Sequence, residues 1–221
     1  MHQVINKSVD LSCGQLHDLC IEDFGSDNLF KYIYQRSRQL IRLRLENCFV
    51  CCYNYKSQDY DQWMITLKGL IQMLRNLPLL EELELPYTRI FGKAIEIVGR
   101  CCPHLKSFTL NQRRYYYTRN PTCDKQDLAI AKSMPGLRHL QLFGNRMTFT
   151  GLMAILNNCH HLEYLDLRQC YGLCRTLEDG PDLETKLPQQ IKHVRFPRDS
   201  TEDYEFDDIV YASDGHINRS S

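Results

Sequence analysis

Seven times between Leu16 and Phe196 an apolar residue fills the first, fourth and sixth places of a hexad. The units read "LHDLCI" from Leu16, "LIRLRL" from Leu40, "LEELEL" from Leu80, "LKSFTL" from Leu105, "LRHLQL" from Leu137, "LEYLDL" from Leu162 and "IKHVRF" from Ile191. Successive starts are 24, 40, 25, 32, 25 and 29 residues apart, and three of these intervals lie within one residue of 25. Side chains alternate along a strand, so the apolar places point inward while the third and fifth face solvent. A single hexad has too little apolar surface to fold alone. Units recurring at this interval must therefore stack and share one core.

Helical periodicity fills the gaps between hexads. Thr148 reads as an N-cap, followed by Leu152, Ile155, Leu156 and Cys159 at i, i+3, i+4 and i+7. Phe91, Ile95 and Val98 make a similar stripe after Thr88, and Asp124 with Asp127 forms a capping arrangement ahead of Leu128 and Ala131. The pattern predicts an α/β fold: a right-handed leucine-rich-repeat solenoid (horseshoe) of about seven repeats, with parallel strands on the concave face and helices outside. The two longest intervals need insertions. They are "CCYNYKSQDYDQW", ahead of the helix "MITLKGLIQMLRNL", and "RRYYYTRNPT"; both read as loops.

Residues 1–15 are expected to be an N-terminal remnant or cap. Val4, Ile5, Val9 and Leu11 there suffice for one helical turn or a short strand, leaving Leu16, Leu19 and Ile21 at an open edge. The repeat domain spans 16–197. Six carboxylates between Asp199 and Asp208, with no recurring apolar period, predict a disordered acidic tail over 198–221.

Lysine plus arginine equals aspartate plus glutamate at 27 each, which argues against a general nucleic-acid or membrane-surface binder. No apolar run approaches the roughly 18 to 20 residues of a membrane span, and the first residues contain no secretory apolar region. The eleven cysteines are odd in number and include the adjacent pairs Cys51–Cys52 and Cys101–Cys102. They read as free thiols of a reducing compartment, cytoplasmic or nuclear.

Neither a cofactor, a metal nor catalysis is expected. Cys48, Cys51 and Cys52 lack the second cysteine pair of a structural zinc site, and no nucleophile or phosphate-loop motif occurs. "NQRRYYYTRN" interleaves arginine with tyrosine, but in a neutral chain it reads as a surface loop, not a base-stacking platform. The candidate contact surface is the concave face: Arg42, Arg44, Glu82, Glu84, Arg138, His139, Gln141, Tyr164 and Asp166. Stacking would set Arg42 and Arg44 beside Glu82 and Glu84, and Tyr and Arg are favoured at binding hot spots. A solvated face whose charges merely satisfy one another carries equal weight.

With the repeats placed, "SMPGLRHLQLFGNRMTFTGLMAILNNCHHLEYLDLRQCYG" resembles the leucine-rich region of plant F-box/leucine-rich-repeat proteins, as do "LPLLEELELP", "GRCCPHLKSFTLNQ" and "FPRDSTEDYEFD". The likeness extends from about Ser12 to Asp208. It implies a substrate-recognition subunit of an SCF ubiquitin ligase, whose repeats hold a protein target while an F-box docks on the Skp1 adaptor. The fifteen residues before Leu16 carry no "W-x-x-L-P" opening, and the single tryptophan, Trp63, falls in the first insertion. A Skp1-type partner is thus expected only with an F-box upstream. The alternative expectation is a stand-alone scaffold or truncated paralogue.

Overall fold

The hexads become a ladder of parallel strands. A computed structural model describes residues 2–48, 50–51, 65–88, 90, 92–112, 123–170, 172–173, 187 and 191–204. In chain order the elements are α1 (His2–Leu11), β1 (Asp18–Glu22), α2 (Asp27–Arg36), β2 (Arg42–Glu46), β3 (Val50–Cys51), β4 (Ile65–Thr66), α3 (Leu67–Arg75) and β5 (Glu82–Glu84). They continue as α4 (Gly92–Cys101), β6 (Ser107–Thr109), α5 (Lys125–Ser133), β7 (His139–Gln141), α6 (Phe149–Asn158), β8 (Tyr164–Asp166) and β9 (His193–Arg195). Seven strands form one parallel sheet in the order β1-β2-β5-β6-β7-β8-β9, and β3 pairs with β4 separately. Helices pack each on the next, from α1 through α6. Strands sit about 4.8 Å apart and packed helices about 8 to 10 Å, so the sheet takes the inner arc.

Register follows the hexads without a slip. The fourth places align as Leu19, Leu43, Leu83, Phe108, Leu140, Leu165 and Val194. The five inner members of that row are buried, whereas Leu19 and Val194, at the two sheet edges, are only half-buried. The helices supply the other wall through Ile33, Met73, Ile95, Ile130 and Ile155.

Hydrogen bonding between units continues past the strands. The eighth place of five units is left-handed: Asp23 (φ 61°), Asn47 (50°), Tyr87 (58°), Gly144 (69°) and Gln169 (59°). From there the N–H groups of Asn47, Tyr87, Gly144 and Gln169 donate to the carbonyls of Pro86, Asn111, Arg168 and Pro197 in the following unit. The ninth place donates backwards. Thr88 Oγ1 reaches the Leu45 carbonyl at 3.0 Å, Cys170 Sγ the Leu142 carbonyl at 3.1 Å, and Cys48 Sγ the Phe24 carbonyl at 3.2 Å. Threonine and cysteine can share this place because each brings one small donor to a buried carbonyl. Thr88 is therefore a turn residue and not the cap of α4; Phe91 lies outside the described residues.

Thr148 does cap α6, accepting from the Thr150 N–H. Asp124 gives its own helix no side-chain cap. It bonds Thr148 of the next unit instead, and Asp27 bonds Thr66 in the same way. Leu128, assigned to the core stripe of α5 by its spacing, is 46% exposed, while Asp127 is fully buried. The helix is turned so that Ala129, Ile130 and Ala131 pack inward.

Two boundary expectations change. Residues 2–11 make a ten-residue helix and not a single turn. Val9 is buried under it, and Asp10 binds the Tyr32 hydroxyl and pairs with Arg36 of α2. The first unit is thereby covered: Ile21 is buried, and Leu16 and Leu19 are half-buried against the core. At the other end, residues 198–204 belong to the folded chain, with Asp203 and Tyr204 bound to the repeats, because the acids there meet arginines. Residues 205–221, the loop residues 52–64 with Trp63, and residues 113–122 lie outside the described residues.

Candidate functional site: the inner face of the sheet

Two polar rows cross the strands. The third-place row runs Asp18, Arg42, Glu82, Ser107, His139, Tyr164, His193, and the fifth-place row runs Cys20, Arg44, Glu84, Thr109, Gln141, Asp166, Arg195. The expected cross-strand complement is formed at the N-terminal half. Arg42 pairs with Glu82 at 3.0 Å and with Asp18 at 3.3 Å. Arg44 pairs with Glu46 at 3.0 Å and Glu84 at 3.4 Å. Arg42 is exposed and Arg44 half-buried, so the first row offers the more accessible charges.

His139 and Tyr164 stand side by side in the third row, ring centroids 6.1 Å apart, with His139 exposed. Burial, and then the neighbouring Asp166 charge, push the Tyr164 phenol above its ordinary range. It is neutral and can act as hydrogen-bond donor or acceptor at any physiological pH. Gln141 lies half-buried beside the pair.

Two of the nine expected residues are placed differently. Arg138 occupies the second place of its hexad and lies at the edge where strands begin. It pairs there with Glu163 at 2.7 Å, beside the pairs Lys106–Glu81 (2.7 Å) and Lys192–Glu163 (3.2 Å). These pairs tie neighbouring units along that edge, and hydrogen bonds from Lys192 and Arg138 hold the Glu163 carboxyl below its usual range. Asp166 faces inward in the fifth row but is 1% exposed, closed off by Arg168 and the segment after β9. Arg168 Nε lies 3.1 Å from both Asp166 oxygens, and NH2 donates to Oδ2 at 2.8 Å. The Asp166 hydrogen bonds chiefly hold Arg168 even more firmly protonated than an ordinary arginine. The carboxylate orients an arginine from a buried position.

A polar cavity of about 270 Å³ opens beside this pair. Arg44, Glu84, Thr109, Gln141 and Tyr164 floor it, with Arg168, Asp203 and Tyr204 at the side where strands end. Arg168, Asp203 and Tyr204 are absent from the residues read from sequence. Arg168 and Asn111 occupy the seventh place, one residue past the hexad, and no apolar period marks it. Asp203 and Tyr204 sit in a stretch whose acidity reads as tail. Among the described residues no group of three or more His, Cys, Asp or Glu side chains could hold a metal ion. Buried thiols are poor nucleophiles there: burial pushes Cys48 and Cys102 up to about 12 and Cys159 to about 11. The described face has the chemistry of recognition: fixed charges, amides and a neutral phenol. No helix of the described residues is long and apolar enough to cross a membrane.

No protein-family model matches the chain. Curated relatives do, among them three from Arabidopsis thaliana. The putative F-box/LRR-repeat protein 23 is 38% identical over 90% of this chain and 40% of its own length. F-box protein SKIP19 is 39% identical over 91% of this chain and 63% of its own. The putative F-box/LRR-repeat protein 22 is 37% identical over 95% of this chain and 61% of its own. The chain thus spans 40% to 63% of the length of these relatives. With its hexads hydrogen-bonded into one parallel ladder, the chain is similar along nine-tenths of its residues to the plant F-box/leucine-rich-repeat family.

Proposed function

We propose that this chain captures a protein target on the concave face of its sheet, as the recognition part of an SCF-type ubiquitin ligase. It binds and has no active site of its own. A Skp1-type adaptor would engage an F-box on the same polypeptide, and none of the repeat residues described above is assigned to that contact. The supporting observation is the third-place row, where Arg42 and Glu82 present paired charges and His139 and Tyr164 an adjacent aromatic pair on one open surface. Aromatic side chains beside oriented charges are the usual anchors of protein interfaces.

The test is affinity capture from plant extract with the wild-type chain and with Arg42→Glu, His139→Ala and Tyr164→Ala, quantified by mass spectrometry. Specific partners should be lost from the variants while the circular-dichroism spectrum is unchanged. Partners retained by all three variants would remove the concave face as the capture surface. Co-purification of Skp1 with the longest transcript product separates ligase recruitment from a stand-alone scaffold.

A further inference from the structure

Past β9 the chain turns back on itself. Asp199 N–H donates to the Phe196 carbonyl at 3.1 Å, and Asp199 Oδ2 accepts from the Phe196 N–H at 2.8 Å. The next residues then lie across the units where strands end. Arg168 NH1 donates to the Ser200 carbonyl at 3.0 Å and to Asp203 Oδ1, and Arg195 donates to Asp203 Oδ2. Tyr204 stacks flat on Phe143, with ring centroids 3.7 Å apart and planes within 1°, and its hydroxyl comes within 3.4 Å of the Tyr87 hydroxyl. The Arg168 guanidinium lies 5.7 Å from both ring centroids.

The seat under these residues is built by the repeats. Asp166 locks Arg168 through three contacts and leaves NH1 directed outward. Asn111 Oδ1 accepts the Phe143 N–H at 3.1 Å and fixes the aromatic platform. Within the occupant, Tyr204 is half-buried on Phe143 while Asp203 is 51% exposed, and ion pairs with an exposed member hold less than buried ones. If Asp203 left, the Arg195 charge would lose its carboxylate while Arg168 kept only Asp166. The vacated seat would favour another acid followed by an aromatic ring.

We propose that the seat formed by Arg168, Arg195 and Phe143 recognises a peptide segment bearing an acidic residue followed by an aromatic one, and that residues 199–204 are its resident occupant. This rests on the reading that the concave face captures protein, and it names a chemical class of target. The adjoining cavity carries the rest of such a segment onward past Gln141 and Tyr164. A target reaches the seat by exchange with Asp203 and Tyr204, so the resident strap sets a threshold for capture.

The experiment uses a fluorescein-labelled peptide of the chain's own residues 199–206, "DSTEDYEF", and full-length protein. Fluorescence anisotropy compares the wild type with Asp203→Asn/Tyr204→Ala and with the single Asp203→Asn. We expect at least tenfold tighter binding to the double variant than to the wild type, an intermediate affinity for the single variant, and loss with a "DSTEAAEF" peptide. Adding Arg168→Gln to the double variant should abolish binding. Equal affinity for open and wild-type chains, or no binding to a folded open chain, would overturn the proposal. If the double variant unfolds, the single variant decides in the same way. If both unfold, the strap is a structural closure and the proposal fails. Failure here with capture still lost in Tyr164→Ala leaves the concave-face reading standing; capture that persists in every concave variant removes that reading whatever the peptide does.

Discussion

Asp124 holds Thr148 with both oxygens: Oδ1 accepts the Thr148 backbone N–H at 2.6 Å and Oδ2 accepts its hydroxyl at 2.7 Å. The acid stands at the start of α5 and the threonine at the start of α6, so one carboxylate ties two consecutive units. It also places negative charge at the positive end of α6. Hydrogen bonds to charged groups contribute roughly 1.5 to 3 kcal/mol, so Asp124→Ala should lower stability by about that amount. Urea unfolding measures it; a loss under about 0.5 kcal/mol would mean water replaces the clip.

The same clip joins Asp27 to Thr66, and the glycine three residues after each threonine makes room for it. A Cβ on Gly69 would meet Asp27 Oδ1 at 1.9 Å, and one on Gly151 would meet Asp124 Oδ1 at 2.7 Å. Alanine in a helix is ordinarily about 1 kcal/mol better than glycine. Gly69→Ala is nevertheless expected to lower the melting temperature, because the carboxylate must swing away. A higher melting temperature would show that the clip adapts freely.

Asp127 gives the fold a pH dependence. Its side chain is wholly buried, and among the described residues neither carboxylate oxygen has a hydrogen-bond partner. Burial, together with the Asp124 charge, raises its pKa from 3.8 to about 7. The native state therefore holds this proton more tightly than the unfolded chain does. The stability it carries is complete below about pH 4 and is lost as pH rises through about 7. Asp127→Asn should match the wild type near pH 4 and exceed it by roughly 4 kcal/mol at pH 8. Denaturant midpoints at the two pH values decide; equal offsets at both would mean that the carboxylate finds a partner.

Leu165 lies between Leu140 and Val194 in the fourth-place row and is fully buried. Leu165→Ala should cost roughly 2 to 5 kcal/mol, the range for buried leucines. A shift well below 1 kcal/mol in chemical denaturation would show that the neighbouring units close the void.

The covering helix α1 sets how far protection extends toward the first unit. Val9→Asp places a charge at a buried site and should unseat α1. Amide exchange should then rise through β1 while β5 to β8 stay protected. Unchanged exchange at Ile21 would make α1 dispensable.

Much of this is legible in the hexads. Apolar first, fourth and sixth places suffice to specify strand register, because a slip of one residue would turn every leucine toward water. The pairing of Arg42 with Glu82 and of Arg44 with Glu84 follows from that register alone. The eighth-place turns are not legible: Asp23, Asn47, Tyr87, Gly144 and Gln169 share a backbone conformation but no chemistry. Nor is the displacement of Arg138, since a second-place residue looks as polar as its neighbours until the strand ends are known.

Sequence by itself determines the stacking unit and the inward and outward rows, since these repeat at fixed offsets along the chain. Only the tertiary structure decides which polar residues of those rows remain open. Asp166 is buried because Arg168 and Asp203 meet over it, and Asp203 arrives from 35 residues farther along the chain. A stretch rich in acids reads as solvated tail while its partners are unknown. It folds once Arg168, oriented by a buried carboxylate, and Arg195 of the next unit meet Asp203 beside an aromatic platform.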